Sequence, residues 1–239
     1  MATQPHSTPK PRVRQSRERV LRVAIQIADK NGIEALTMRN LAERLGLEAM
    51  TLYHYVANKD DILNHIVDLV VNEFEVPSDK GTWQAALRRS ATSAYEVLLR
   101  HPWACGLMMS PARIGPARLA YMESLLGRLR GAGFSAEMTH HAYHALDSHI
   151  LGFTMWEAGY TTGIKELPDS GATFRRQISF EDYPYLVEHM GEHNKPSKGG
   201  GEFGFGLDLI FDGLEEIRLR SARARTDMPR VKRRPRPSC

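Results

Sequence analysis

Residues 48–63, EAMTLYHYVANKDDIL, carry side chains that are suited to binding a chain of phosphates. Tyr53, His54 and Tyr55 stand side by side in a short helical pattern, and Lys59 follows them. A buried helix spaces its aromatic residues by three or four so that they share one face, whereas adjacent residues fan out around the axis. At least one ring must therefore point away from the core, where tyrosine hydroxyl groups and a lysine can bind phosphate oxygens.

Local helix signals indicate how the chain holds this segment. An apolar stripe predicts a first helix that ends at Gly32. Thr37 is a suitable N-cap for a second helix, and Gly46 supplies the positive φ that a tight turn needs at its end. A third, short helix is predicted over 48–56, and Asn58 caps a fourth. Two short helices separated by a glycine turn and held between two longer ones predict a helix-turn-helix.

The start of the fourth helix combines a cap with an anion site. Asp61 stands at the third position and can reach back as in a capping box. The free amides and positive dipole end attract anions, and Lys59 adds a charge. On the third helix, Leu52 and Val56 lie four apart and should face the core. The outward-facing set is then Ala49, Met50, Tyr53 and His54.

Two stretches resemble a known protein family. Residues 20–66, and above all LTMRNLAERLGLEAMTLYHYVANKDDIL, resemble the N-terminal domain of the TetR (tetracycline repressor) family. The later stretch GFGLDLIFDGLEEI resembles the last helix of that family's C-terminal domains. The resemblance implies an all-α fold, with an N-terminal three-helix DNA-binding domain containing a helix-turn-helix and a larger helical domain for ligand binding and dimerisation. It also implies a non-enzymatic, ligand-responsive transcriptional repressor that binds a palindromic double-stranded DNA operator as a homodimer.

The resemblance assigns roles to individual residues of the N-terminal domain. Tyr53 and Lys59 would hold phosphates, while the Ala-Met opening of the third helix can touch a thymine methyl but cannot form bidentate hydrogen bonds. Arg39, the basic N-terminal arm and DNA shape would then supply specificity. In the alternative interpretation, Tyr53 and Tyr55 simply seal a small helical core. The predicted DNA-binding set is Thr37, Met38, Arg39, Ala49, Met50, Thr51, Tyr53, His54, Tyr55 and Lys59.

The C-terminal domain is expected to be helical over 83–101, 104–110, 115–131 and 135–160, with a polar stretch over 161–203 that contains one helix at 181–193. The resemblance implies an effector pocket in this domain, and the methionines and aromatic residues that recur on these helices favour a small apolar or aromatic ligand for it. The alternative is that they form ordinary core. The predicted lining is Tyr95, Trp103, Met108, Met109, Tyr121, Met122, His144, Phe153 and Trp156.

The last helix is predicted from Leu207 to about Leu219, after KPSKGGGEFGFG, which we interpret as a hinge-like linker. Its apolar stripe is wide enough for a partner helix, and the family implies a homodimer built from this helix and 135–160. The alternative is that the stripe packs within the monomer. The predicted interface residues are Leu207, Ile210, Phe211, Leu214 and Ile217.

Charge is concentrated at the two ends of the 239-residue chain. Residues 1–19 carry five basic residues and one acidic residue, and residues 221–239 carry seven and one, so the stretch between them has a net charge of −6. The predicted organisation is a disordered basic arm (1–15), a DNA-binding domain (16–77), an effector-binding and dimerisation domain (78–220) and a disordered basic tail (221–239).

The remaining sequence signals favour a cytoplasmic bacterial protein without a cofactor. Two cysteines, Cys105 and Cys239, are too few for a disulfide framework. We expect neither a signal peptide nor contact with a membrane, because no sufficiently long apolar run is present.

Histidine clusters suggest a metal, but we predict no metal site and no catalytic residue. His140, His144 and Asp147 share one helical face at a spacing that could bind zinc, although buried or interface histidines are the simpler explanation of the pattern. HMGEH, residues 189–193, matches the H-x-x-E-H pattern of inverted zinc proteases with a glycine inside it. The alternatives left open are a DNA-binding protein without an effector and a metal-dependent hydrolase.

Overall fold

The computed structural model describes residues 16–110, 113–166, 182–192 and 201–226, and these residues form ten α-helices and no β-strand. This confirms the all-α prediction. The helices are α1 Arg17–Asn31, α2 Met38–Leu45, α3 Ala49–Leu52, α4 Lys59–Val71, α5 Trp83–Arg100, α6 Trp103–Met108, α7 Pro116–Gly131, α8 Ala136–Glu166, α9 Pro184–Glu192 and α10 Gly201–Thr226.

Caps fix the helices of the N-terminal domain where the sequence places them. The Thr37 side chain accepts a hydrogen bond from the Asn40 amide, and Gly46 ends α2 with a φ of 67°. Asn58 Oδ1 accepts from the Asp61 amide at 2.8 Å, and the Asp61 carboxylate accepts from the Ala57 amide at 3.0 Å. The capping box is therefore present, but its return contact reaches one residue before the cap.

Helices α1, α2 and α4 pack around one small core, and α3 lies against α2. Leu52 and Val56 are buried in this core, which confirms that they face inward. The third helix is shorter than predicted, because hydrogen-bonded turns take over after Leu52 and continue as far as Val56. The outer side of this short segment is thereby left on the surface.

The C-terminal helices form a second layered core around α8. Helix α8 packs against α5, α7 and α10, and α4 reaches from the N-terminal domain to touch α5, α6 and α7. Leu87, Leu98, Leu129 and Leu146 are fully buried within it. Helix α4 is therefore shared by both cores and connects them directly.

Three predicted helix ends in the C-terminal half are wrong. Helix α8 continues to Glu166, and α10 begins at Gly201 and runs to Thr226, so GEFGFG is helical and is not a linker. Phe203 explains why the helix starts early, since its buried ring stacks on Tyr95 at 4.0 Å and on His149 at 4.8 Å. The predicted arm, 1–15, and residues 227–239 of the predicted tail lie outside the described residues.

The predicted dimer stripe packs mainly within its own chain. Leu207, Phe211 and Leu214 are buried in the described structure, and the Phe211 ring lies 5.7 Å from Trp83, edge to face. These three side chains therefore pack inside the monomer, as in the alternative interpretation, and they leave little surface for a partner. Ile210 is half-buried and Ile217 is exposed.

Within the described residues, no helix has both the length and the apolar character that crossing a bilayer requires.

Gly206 permits the close packing of α10 on α8. A Cβ atom at this position would lie 2.3 Å from the His149 ring, which is held by a 2.9 Å contact with the Phe203 carbonyl. We expect Gly206→Ala to reduce the free energy of unfolding by about 1–3 kcal/mol, because the imidazole ring must leave its stacked position. Urea denaturation measures the change.

Gly127→Ala on α7 is the matched control. No atom lies within 4 Å of its Cβ position, and a helix interior gains about 0.5–1 kcal/mol when alanine replaces glycine. Equal stability changes in the two variants would contradict the close-packing interpretation.

Candidate DNA-binding surface and effector site

The α3 segment presents its predicted outward residues to solvent. Met50 is 74% exposed and Tyr53 is 49% exposed, and Ala49 and His54 are exposed as well. Tyr55 differs, since it is half-buried and packs against the core. The alternative that the tyrosines seal the core therefore applies to Tyr55 and not to Tyr53.

Helix α2 packs against this segment. Because Thr37 caps the helix, Met38 and Arg39 occupy its first turn, where Arg39 is exposed and Met38 is half-buried. Thr51 is half-buried on α3. Helix α2 and the α3 segment thus expose hydroxyl, guanidinium and thioether groups, a composition suited to phosphates and base edges.

Arginines from distant parts of the chain neutralise the acidic start of α4. Asp61 pairs with Arg17 of α1 at 3.2 Å, and Asp60 pairs with Arg113 at 2.7 Å. The two carboxylates would otherwise repel a phosphate at this helix start, where Lys59 lies half-buried. Sequence reasoning missed both arginines, because 44 and 53 residues separate them from their partners and no local pattern links them.

An inner cavity of about 10 Å³, enough for one water molecule, lies in the C-terminal core among α5, α6, α7 and α8, with Phe74 from the turn after α4 closing one side. Its polar groups are Arg118, Tyr121, Tyr143 and Asp147, set in an apolar wall. Burial raises the pKa of Asp147, although the Arg118 guanidinium opposes that shift. Burial also raises the pKa of Tyr121 to about 12, and its hydroxyl group lies 2.9 Å from Ser90. The apolar lining is Phe74, Ala94, Leu98, Met108, Met122, Ile150 and Leu151.

A larger outer groove of about 610 Å³ lies between α7 and α8. Met122 and Tyr143 line both spaces, so these two side chains form the wall between groove and inner cavity. Thr139 is only 4% exposed, and its hydroxyl group has no hydrogen-bond partner among the described residues. The rest of the lining is Glu123, Leu126, Gly127, Arg130, Ala136, His140 and His144.

The two cavities bring together four of the nine predicted effector residues. Met108 and Tyr121 line the inner cavity, Met122 lines both spaces, and His144 lines the groove. Sequence reasoning missed Arg118 and considered Asp147 only as a metal ligand, because charged residues in a helical pattern normally indicate a solvated face.

The other five predicted effector residues line neither cavity. Tyr95 and Phe153 belong to an aromatic cluster with Phe203. Met109 and Trp156 are exposed. Helical spacing identifies apolar residues without identifying which neighbours enclose them, so the role of these five residues in binding an effector stays a prediction.

Trp103 lies at the junction of the two domains. Its Nε1 donates to Asp29 of α1 at 2.6 Å, and His101 Nδ1 lies 2.7 Å from the same carboxylate oxygen. On the other side of the imidazole ring, Glu73 lies 3.6 Å from His101 Nε2. Trp103 and the buried His101 therefore connect the N-terminal domain to the start of α6.

The described residues contain no cluster of three or more histidine, cysteine, aspartate or glutamate side chains that could hold a metal ion. His140 and His144 line the outer groove, while Asp147 lines the inner cavity. His189 is exposed on α9, and His193 lies outside the described part of the chain.

Comparison with known proteins agrees with this arrangement. Residues 20–66 match the model of bacterial regulatory proteins of the tetR family, and residues 77–218 match the tetracyclin repressor-like C-terminal domain. The chain is 32% identical over 223 residues to the HTH-type transcriptional repressor DrrR1 of Streptomyces coeruleorubidus, covering 89% of this chain and 81% of that protein.

Solved structures have the same fold. A possible TetR family transcriptional regulator from Streptomyces coelicolor A3(2) aligns with a TM-score of 0.73 and 27% identity, over 84% of this chain and all of that one. ActR from Streptomyces coelicolor, solved in complex with actinorhodin, aligns with a TM-score of 0.67 and 24% identity over 86% of this chain and 99% of that one. Both parts of the fold and the helix-turn-helix lead to one assignment: this chain belongs to the TetR family of bacterial regulatory proteins.

Proposed function

We propose that this chain is a transcriptional repressor that binds a palindromic DNA operator as a homodimer and releases it when a small apolar or aromatic effector binds. The observation that carries the proposal is the exposure of Met50 and Tyr53 on a segment whose opposite side is buried. In a DNA groove, a solvent-facing methionine can contact a base edge and a solvent-facing tyrosine can bind a phosphate. Such a protein works in the bacterial cytoplasm.

On DNA, the α3 segment enters the major groove. Tyr53 and Lys59 hold phosphates on either side, and Thr51 adds a hydroxyl donor. Ala49 and Met50 touch thymine methyl groups, which leaves much of the sequence reading to Arg39, the basic arm and the shape of the duplex. The start of α4 accepts a phosphate because Arg17 and Arg113 neutralise its two aspartates.

The dimer surface we propose is the exposed side of α8 and α10. Phe205 is 65% exposed and Leu209 is 61% exposed on α10, while Met155 and Trp156 are exposed on α8. They replace the buried members of the predicted stripe. Two copies of this surface would form a four-helix seam burying about 2,000 Å² or more. A two-fold axis through the seam places the recognition segments on half-sites about 34–36 Å apart.

The effector site we propose combines the outer groove with the inner cavity. Rotation of Met122 and Tyr143 joins the two spaces, because these side chains form their common wall. The apolar walls suit an aromatic body, while Arg118 and Thr139 offer donors to oxygen atoms on the ligand. The solved complex of ActR with actinorhodin is a precedent for such a ligand on this fold.

The second candidate is a DNA-binding protein of the same family without a small-molecule effector. The small volume of the inner cavity favours this alternative, because a ligand must displace side chains to enter it. The hydrolase alternative is set aside, since members of the family are DNA-binding regulators and not enzymes.

Removing a phosphate-binding side chain should weaken DNA binding and its dependence on salt. We expect Lys59→Ala to weaken binding about tenfold and to reduce the slope of log K against log salt by about one for each phosphate that is no longer neutralised. Tyr53→Phe should also weaken binding, because the hydroxyl group that binds a phosphate oxygen is absent. Fluorescence anisotropy with a labelled duplex from the region upstream of the gene, repeated over a salt series, measures both quantities.

Lys30→Ala is the matched control, because it removes an exposed lysine from the last turn of α1, about 20 Å along the helix from Arg17. Its salt slope should equal that of the wild type. Wild-type binding by both Lys59→Ala and Tyr53→Phe would show that the assigned contacts are wrong.

A charge within the proposed seam should separate the protomers. We expect Leu209→Glu to give a monomer in sedimentation velocity, since an unpaired carboxylate cannot be buried at small cost. Leu119→Glu, at an exposed apolar position on α7, should leave the dimer unchanged. A dimeric Leu209→Glu variant would place the interface elsewhere.

A bulky side chain in the shared wall should block the effector. A hydrophobic aromatic compound that binds at 100 times its Kd stabilises the protein by about 2.7 kcal/mol, which a thermal-shift panel detects. We expect Met122→Trp to abolish the shift and Leu119→Trp to preserve it. Failure of every compound in a broad panel to stabilise the wild type would favour the candidate without an effector.

A further inference from the structure

A short segment at the start of α7 runs along one face of α4. This segment, residues 113–118, is called the strap. Arg113 donates to Asp60 at 2.7 Å and to Asn64 at 2.9 Å. The strap then reaches Asp68, so its three partners on α4 are spaced by four residues and share one helical face. Nearly the whole length of α4, from the proposed phosphate site inward, is held by this one segment.

The contact with Asp68 is a helix cap supplied from another helix. The Asp68 carboxylate accepts hydrogen bonds from the amides of Ala117 at 3.2 Å and Arg118 at 3.4 Å. Helix α7 has no side-chain cap of its own, because Gly115 occupies the N-cap position. A Cβ atom on Gly115 would lie 2.3 Å from Asp68 Oδ1, so only glycine permits this approach. The position of α7 and that of α4 are therefore tied together at one carboxylate.

Arg118 belongs both to the strap and to the inner cavity. Its amide lies on Asp68, whereas its side chain turns inward and donates to the Met108 carbonyl at the end of α6. The residue is 9% exposed, and its guanidinium group lines the cavity beside Asp147. The backbone and side chain of this one residue thus link the inner cavity to Asp68 on α4.

We infer that Arg118 is the positioning residue through which a molecule in the inner cavity moves α4, an inference that rests on the proposed function. An effector oxygen in the cavity competes with the Met108 carbonyl for the guanidinium group. As the side chain shifts, the start of α7 moves with it and the Asp68 cap loosens. The strap then withdraws Arg113 from Asp60, which leaves an unpaired negative charge beside the proposed phosphate site.

This route differs from a purely structural role for Arg118. If the guanidinium only fastened α6 to α7, its loss would loosen residues 103–118 and leave α4 unchanged. If it positions α4, its loss must also speed amide exchange at residues 59–71, which belong to α4 itself. Amide hydrogen exchange distinguishes the two because it reports on each segment separately.

Hydrogen exchange of the full-length protein tests the inference in the absence of any ligand. We expect Arg118→Met to speed exchange in both the strap and residues 59–71 by about tenfold or more, a factor typical of coupled sites. Arg118→Lys should restore most of the protection, since it keeps a charged donor. Tyr121→Phe is the matched control, because it removes a buried hydroxyl of the same cavity without touching the strap, and it should exchange like the wild type.

Gly115→Ala provides an independent variant should Arg118→Met fail to fold. It displaces Asp68 without altering the cavity lining, and we expect the same faster exchange in α4. The inference is overturned if Arg118→Met speeds exchange only within residues 103–118. It is also overturned if Gly115→Ala leaves the exchange rates of α4 unchanged. Equal effects from Tyr121→Phe overturn it as well.

DNA binding by the same proteins separates this inference from the proposed function. We expect Arg118→Met to bind the upstream duplex about tenfold more weakly than the wild type. If the wild type does not bind that duplex while Arg118→Met still loosens α4, the proposed function fails and the connection from cavity to α4 stands.

Discussion

The carboxylate of Asp68 on the free amides of α7 is the contact on which the relation between the two domains depends. Helix α4 lies in the N-terminal core through Ile62 and Ile66, and the Asp68 cap fixes where α7 meets it. Because the cap joins a negative charge to a helix N-terminus, the helix dipole strengthens it. A second connection, from Asp29 to Trp103, holds the other side of the junction.

Ion pairs on the N-terminal domain reduce the repulsion between its acidic residues and the phosphates of DNA. Asp60 and Asp61 begin α4 and favour its formation, yet both lie where the proposed phosphate contact is made. Arg17 and Arg113 resolve this conflict by pairing with them. One arginine comes from the first helix and the other from the strap, so the suitability of the surface for DNA depends on how both domains are placed.

The helix-turn-helix could be predicted from the sequence because its signals are local. Caps at Thr37 and Asn58 and the positive φ of Gly46 act within a few residues, and the structure contains all three. The inner cavity and the strap could not be predicted, since their contacts join residues about 50 apart. The apolar periodicity of α10 was insufficient for a related reason. It identified the apolar side that contains Leu207, but it could not show whether that side packs in the core of its own chain or against a partner chain.

The near absence of free space in the inner cavity has a consequence for selectivity. A molecule can occupy it only by rearranging Met122, Tyr143 and their neighbours, and that rearrangement has a fixed free-energy cost. Under the proposed function, a small metabolite that makes few contacts there would need a much higher concentration to offset this cost. The proposed response would then begin only above a threshold of ligand size and concentration, and the closed core would discriminate against small metabolites.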